Sequence, residues 1–259
     1  MNREVPETEI KNNEIASKVE KIHGKHPDKG YRRIRDDLSV YHDIDVNDKR
    51  VLRICRSLNI KSTIKYRNHG CTRKAANPQF IAENILNREF KANAPNEKWL
   101  TDVTEFKYYI NGVKHKIYLS AIIDLYDRRI VSYVISDHNN NPLVHDTFDK
   151  AIDVAPNAQP IFHSDRGFQY TSRTFHKKLM AAGMTQSMSR VGKCIDNGPM
   201  EGFFGILKRE SYYGKRFTSR DSLFTMIEEY IYYYNHNRLQ RKLGVVTPMK
   251  KHEIYLNAA

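Results

Sequence analysis

Three carboxylates, Asp102, Asp165 and Glu201, stand out in this 259-residue chain by position. Asp102 lies early in WLTDVTEFKYY, among apolar Leu100, Val103 and Phe106. Asp165 follows the apolar end of QPIFHSD, where open α/β sheets place ligand groups just past the carboxyl ends of strands. Glu201 belongs to DNGPMEGFFGILKRE, in which Met200, Phe203, Phe204 and Leu207 fall at the i, i+3, i+4, i+7 spacing of a core-facing helix stripe. Glu201, Gly205 and Lys208 run along the margin of that stripe. Converging carboxylates repel and raise one another's pKa unless cations fill the space between them. All-oxygen ligands favour hard ions such as Mg2+ or Mn2+. Two such ions about 3.5–4 Å apart stabilise both the attacking and the leaving oxygen of an in-line displacement at phosphorus. Taken singly, the acids have plainer readings: Asp102 as a strand-end acid paired with a lysine, Asp165 as a turn residue bonding its own backbone before Gly167, and Glu201 as a first-turn glutamate favoured by the helix dipole after Asn197-Gly-Pro.

The elements around these residues must bring them together. WLTDVTEFKYY and VKHKIYLSAIIDLY read as two strands joined by Asn111-Gly112, the strongest short hairpin signal, and RRIVSYVIS supplies a third. A helix follows over Leu143 to Ala155, then a short buried strand in QPIFHSD, a helix in SRTFHKKLMAAG closed by Gly183, a last strand in MTQSMS, and the helix bearing Glu201. Three meandering strands followed by helix-linked ones predict a mixed α/β sheet with its later strands parallel. In that order the first and fourth strands can be neighbours with the Glu201 helix laid across them, so the acids can converge. Ser219 to Asn235 is a further amphipathic helix, with Leu223, Ile227, Tyr230, Ile231 and Tyr234 on one side.

Composition points to a polyanionic partner. The 43 Lys+Arg against 30 Asp+Glu give a formal charge of +13, the electrostatic signature of a nucleic-acid-binding protein. The excess is local: Lys49 to Ala82 contains nine basic residues (Lys49, Arg50, Arg53, Arg56, Lys61, Lys65, Arg67, Arg73, Lys74) and no acid. Three helices are expected before residue 60, one through Ile15, Val19 and Ile22, one from Tyr31 to Leu38, and one from Asp48 to Leu58. The third puts Val51, Cys55 and Leu58 on one face and Lys49, Arg53 and Arg56 on another, like a helix-turn-helix recognition helix with Arg50 beside it. An ordinary solvated basic face fits the same spacing. Residues 61–95 read as a basic linker, separating a 1–60 DNA-binding domain from a 96–215 catalytic core and a 216–259 helix and basic tail packed on it. No run approaches the roughly 20 apolar residues of a membrane span, which predicts a soluble, cytoplasmic protein without a membrane partner. Cys55, Cys71 and Cys194 suggest no disulfide framework. A zinc site from His23, His26, Cys55 and Cys71 is disfavoured, because fifteen residues separate the cysteines where structural zinc sites use a close pair.

WLTDVT, YLSAIIDLYDRRIV, HSDRGFQY, DNGPMEGFFGILKRE and YYYNHNRLQRKLGVVTP, in that order, resemble the successive blocks of the OrfB-type insertion-sequence transposases, the bacterial group most similar to retroviral integrases. Asp165 and Glu201 are separated by 35 residues, the spacing that names the D, D, 35, E class, and GYRRI at 30–34 resembles that family's helix-turn-helix segment. The resemblance implies an RNase H-like core preceded by a small all-α helix-turn-helix domain, with Asp102, Asp165 and Glu201 as the metal-binding catalytic triad. It also implies two Mg2+ (or Mn2+) per site, double-stranded DNA as partner, a homo-oligomer on DNA, fusion to an upstream OrfA by frameshifting, and action at the bacterial nucleoid. Lys208 and Arg238 are expected DNA contacts. Tyr234, Asn235 and Arg238 match the family's YN-x-x-R block, with Gln240 where many members have His, and Gly198 and Gly202 stand where some have Ala and Ser. Asp124 and Arg128 are expected as a structural ion pair, and His163 as support for the site. Two alternatives remain at this level: an RNase H-like nuclease unable to join strands, and a non-catalytic DNA-binding regulator.

Overall fold

The computed structural model describes residues 7–64 and 78–258. The chain divides into two compact units, Met1–Arg67 and Asn68–Ala259. Of the basic stretch, Lys65, Arg67, Arg73 and Lys74 lie outside the described residues, as does Cys71 of the disfavoured zinc quartet.

The first unit is three helices, α1 (Glu7–Lys25), α2 (Tyr31–His42) and α3 (Asp48–Ser57). Ile15, Val19 and Ile22 of α1 pack with Ile34 and Leu38 of α2 and with Val51, Ile54 and Cys55 of α3. The Asn47 side chain caps α3 by accepting from the Arg50 N–H at 2.7 Å. A buried ion pair, Lys29 Nζ to Asp37 at 2.6 Å, links the segment before α2 to its second turn. α2 runs one turn beyond its expected end at Leu38 and stops where Asp43 adopts φ 54°.

The second unit is built on a five-stranded sheet of β1 (Lys98–Ile110), β2 (Val113–Asp124), β3 (Ile130–Ser136), β4 (Ile161–Ser164) and β5 (Thr185–Met188), in the order β3-β2-β1-β4-β5. β1, β2 and β3 pair antiparallel, while β4 lies parallel to β1 and β5 parallel to β4. The sheet is therefore mixed and flanked by helices, as expected. Asn111 and Gly112 at the hairpin tip have φ of 49° and 81°, the double positive φ that a type I′ turn requires. On one face, α4 (Asn141–Val154) and α5 (Arg173–Ala181) cover Trp99, Ile122, Val131 and Phe162. On the other, α6 (Gly198–Leu207) and α7 (Arg220–His236) cover Leu100, Phe106, Ile117, Leu119 and Ile123. A last helix, α8 (Pro248–Leu256), packs on α7. Among the described residues no helix is long and apolar enough to cross a membrane.

The boundaries expected from composition need correction. Residues 61–95 are not a free linker over their described parts. Ser62 Oγ donates to the Asp28 carbonyl and the Thr63 N–H to that of Pro27, fastening one end to the helical unit. Ala82 and Leu86 are buried in the two sheet cores. The segment is polar overall, yet its few apolar residues have cores to enter, and burial of those decides its path. α8 was also unread, although Thr247 followed by Pro248 is an N-cap and first-turn proline signal, and Thr247 Oγ1 does accept from the Lys250 N–H at 3.2 Å.

Candidate active site

The sheet register does most of the assembly. Leu100 of β1 stands opposite His163 of β4 in a parallel pair, and continuing that register by two residues sets Asp102 opposite Asp165, just past the end of β4. Along β1 the even-numbered side chains Leu100, Phe106 and Tyr108 enter the core that α6 covers, so strand alternation turns Asp102 to the same side. α6 is pinned there: Asn197, immediately before it, donates its Nδ2–H to the Thr101 carbonyl at 3.0 Å. Met200, Phe203, Phe204 and Leu207 are all buried, as the helical stripe requires, and Glu201 is left exposed on its first turn.

Asp102 lies within reach of the charges of both other acids, and Glu201 within reach of that of Asp165. Desolvation first, then the charges of Asp165 and Glu201, hold the Asp102 carboxyl well above the usual range, against the opposing Val103 N–H and Lys208. Asp165 is raised by burial against the Gly167 N–H bond, and Glu201 by burial and by Asp165. The described hydrogen bonds of both aspartates use Oδ1 alone: Asp102 accepts from the Val103 N–H and Asp165 from the Gly167 N–H, each at 2.8 Å. Asp165 thus also makes the turn bond that its plainer reading required. Among the described residues, no three His, Cys, Asp or Glu side chains are drawn close enough to form a finished cation cage. The donor set nonetheless fits a hard divalent ion: carboxylate oxygens without hydrogen bonds, mutually repelling, beside only one lysine.

Lys208 ends α6 and opens a π-helical turn, Lys208–Tyr212. Its Nζ lies 5.0 Å from the centre of the Phe106 ring, and burial pulls its pKa down to about 8 while Glu105 and Asp102 act to raise it. Gly205, the small residue of the Glu201–Lys208 line, makes room for Arg209: a Cβ there would lie 3.1 Å from its Nη1. His163 is fully buried between Ser187 Oγ (2.9 Å) and Ser189 Oγ (3.1 Å), and burial lowers its pKa to about 4. A neutral, enclosed imidazole with both ring nitrogens hydrogen-bonded ties β4 to the end of β5 and is a weak proton acceptor.

Several residues around the acids escaped the sequence reading. Tyr170 is 1% exposed, shares a hydrogen bond of 3.2 Å with Thr101 Oγ1, and feels the charges of Asp102 and Asp165. Gly167 leaves space for Asp165, since a Cβ there would meet Asp165 Oδ1 at 3.0 Å. Asp196 is fully buried and takes bonds from Arg88 Nε (2.6 Å), Arg190 Nε and Nη2 (2.9 Å each), the Arg190 N–H (3.0 Å) and Asn84 Nδ2 (3.0 Å). These residues stand in the same quoted blocks as the acids, which is the only sequence signal they offered.

Other expectations are corrected. Arg238 is not available as a DNA contact: its guanidinium is nearly buried and paired with Glu210 at 2.8 Å, and the neighbouring Asn235 brackets Ile130 through both backbone groups. The YN-x-x-R block thereby fastens α7 to β3. Arg50 is half-buried, with Nε on Asn12 Oδ1 at 2.9 Å, tying α3 to α1, whereas Lys49, Arg53 and Arg56 are exposed on one face of α3. Asp124 and Arg128 form no described ion pair. Asp124 accepts from the Asn96 and Tyr126 N–H groups and the Trp99 indole, Arg128 donates to the Phe90 carbonyl, and Asp127 pairs with Arg129 at 3.4 Å and lies 2.7 Å from His252 Nδ1.

Comparison with known proteins agrees with this architecture. Family models for the integrase core domain match residues 92–194 and 201–253, and one for an HTH-like domain matches 11–68. The putative transposase InsK of insertion sequence element IS150 from Escherichia coli K12 is 40% identical over 85% of this chain and 76% of its own. A transposase-like protein of Haemophilus influenzae is 42% identical over 83% and 96%. The transposase of insertion sequence element IS904 from Lactococcus lactis is 32% identical over 96% and 97%. Among solved structures, the simian T-cell lymphotropic virus intasome in complex with the PP2A regulatory subunit B56 gamma aligns at a TM-score of 0.50 and 17% identity, over 90% of this chain and 74% of that one, which speaks for an RNase H-like integrase fold. The chain belongs to the insertion-sequence transposases built on an integrase core domain.

Proposed function

We propose that the chain catalyses metal-dependent 3′-end cleavage and strand transfer of an insertion sequence, with Asp102, Asp165 and Glu201 as the catalytic residues and the ligands of Mg2+ or Mn2+, two ions per site. The observation that carries this reading is the approach of the three acids at the β1, β4 and α6 junction, where Asp102 is largely desolvated and within reach of the Asp165 and Glu201 charges. When bound, the divalent ions supply charge neutralisation and stabilisation of the attacking and leaving oxygens at phosphorus. In the first step a water oxygen attacks the scissile phosphorus, the bond to the 3′-oxygen breaks, and a 3′-OH is released. In the second that hydroxyl attacks a phosphorus of target DNA, expelling a new 3′-OH, with no covalent link to protein. The chain's own residues hold the acids in register through the β1–β4 pairing, the Asn197 bond and the Gly167 turn, and Lys208 offers a positive charge beside Asp102. Positioning and charge neutralisation carry most of such a reaction.

The exposed face of Lys49, Arg53 and Arg56 on α3 grips duplex DNA, in keeping with the HTH-like match. Two element ends joined to a target call for a homo-oligomer on DNA, and fusion to an upstream OrfA product adds end recognition. The site of action is the bacterial cytoplasm at the nucleoid. The test is an assay on labelled element-end oligonucleotides with Mg2+. Wild type yields a nick at the 3′ end and a joined product, and Asp165→Asn loses both by roughly a thousandfold or more while DNA binding persists. Hydrolysis without joining turns the assignment to a nuclease, and activity unchanged in Asp165→Asn refutes the triad.

A further inference from the structure

The β1–β2 hairpin has an outer half that the helices leave bare. On the α4 and α5 side, the apolar cluster takes in Trp99, Val103 and Ile122 and reaches no further along the hairpin. Beyond it the same face presents Glu105, Lys107 and Tyr109 of β1, with Lys116 opposite Lys107 and Lys114 opposite Tyr109 on β2. Lys107, Lys114 and Lys116 are exposed. A further cation joins them from another segment: the Tyr109 N–H donates to the Phe217 carbonyl at 2.9 Å, and exposed Arg216 lies 5.9 Å from the centre of the Tyr109 ring. The one acid on this face, Glu105, accepts from Lys116 at 2.7 Å and lies 3.6 Å from Lys107, so it spaces these two lysines and cancels a single charge. The covered half of this face ends level with Asp102 along β1, whose own side chain turns to the opposite, α6 side of the sheet. Eight residues on, Ile110 marks the tip, about 26 Å away at the strand rise of about 3.3 Å per residue.

We infer that this outer sheet face is a track for duplex DNA, in which Lys107, Lys114, Lys116 and Arg216 take backbone phosphates of a duplex lying on the side of the sheet opposite the acid cluster. The cations are strung along a rigid two-stranded ladder. That arrangement suits an elongated polyanion, because a small anion needs donors converging on one point, and these diverge. At a rise of about 3.4 Å per base pair, the roughly 26 Å from the level of Asp102 to the tip spans about eight base pairs. The contacts go to phosphates, so they set register and orientation and carry no sequence preference. The inference rests on the proposed function for DNA as the substrate, and on the hairpin and Arg216 for its charge.

The full chain carrying Lys107→Gln, Lys114→Gln and Arg216→Gln tests it, by binding to a duplex of about 30 base pairs across a salt series without divalent metal. Each phosphate contact contributes about 0.9 to the slope of log affinity against log salt, so the slope should shrink by about 2–3 and affinity at low salt should fall roughly a hundredfold. Arginine at positions 107 and 114 in place of glutamine should restore most of the slope. Placed on Val113→Cys at the exposed tip, a photoactivatable cross-linker should label duplex DNA. An unchanged slope, or labelling of a second copy of the chain in place of DNA, overturns the inference. Its failure is separable from failure of the catalytic reading, which Asp165→Asn tests through cleavage alone.

Discussion

Asp196 and Asp102 belong to the same unit, and Asn197 joins the segment of the first to the strand of the second. Around Asp196 the protein has gathered two arginines, an asparagine and a backbone N–H, and the Arg190 and Arg88 bonds hold its carboxyl below the usual range. Around Asp102 it has gathered two more acids and one lysine, and the carboxyl is pushed the other way. The first arrangement is self-sufficient and fastens residues 84–88, which lie along β5, to the 190–196 loop. The second is left in tension, and only a bound cation or proton relieves it. A chain that satisfies one buried acid so fully had the means to satisfy the other. Its failure to do so is what the proposed cation site at Asp102 accounts for.

That contrast can be broken or sharpened, beginning with the largest effect. Gly167→Ala leaves every acid in place but drives a Cβ to 3.0 Å from Asp165 Oδ1 and 3.2 Å from Gln169 Oε1. Misplacement of that order should lower Mg2+-dependent cleavage roughly ten- to a hundredfold with duplex affinity unchanged, measured side by side on one labelled substrate. The same Asp→Asn change should then act with opposite sign in the two regions. At Asp196 it removes charge-assisted bonds from a buried network and should cost about 2–3 kcal/mol in urea unfolding. At Asp102, in chelator, it removes repulsion and should stabilise by about 1 kcal/mol. Destabilisation of similar size at both sites would erase the distinction.

Much of this was legible from the residues. The Asn111-Gly112 hairpin, the meander followed by helix-linked strands, and the stripe of Met200, Phe203, Phe204 and Leu207 each follow a local rule, and together they set β1 beside β4 with α6 packed on the sheet. Contacts between distant segments obey no local pattern. Arg88 finds Asp196 across 108 positions and Tyr170 finds Thr101 across 69. Arg238 illustrates the converse: a basic residue in a basic tail reads as a DNA contact until Glu210 is seen to enclose it.

A smaller effect separates the regions by pH. The Asp196 carboxyl is depressed in the folded protein, so its stabilising contribution is fully present above the unfolded value near 3.9 and is lost as pH falls through the folded one. The stability gap between wild type and Asp196→Asn should therefore be constant from about pH 7 down to 5 and narrow below about pH 4. A gap that narrows instead toward neutral pH would remove Asp196 as its source. Smaller still is the titration of Lys208, whose pKa of about 8 means its charge fades above that pH. Duplex affinity of wild type should decline by a few-fold between about pH 7 and 9, while Lys208→Arg, charged throughout, stays level.

The central claim is that Asp102, Asp165 and Glu201 meet around divalent ions. Crystals of the full chain soaked in Mn2+ and measured at the manganese edge test it directly. The account predicts anomalous peaks shared by the Asp102 and Asp165 carboxylates with Glu201 completing the set, and two of them about 3.5–4 Å apart once DNA is bound. Manganese absent from that junction at saturating concentration, or held there with the Glu201 side chain turned out to solvent in the DNA complex, would contradict it.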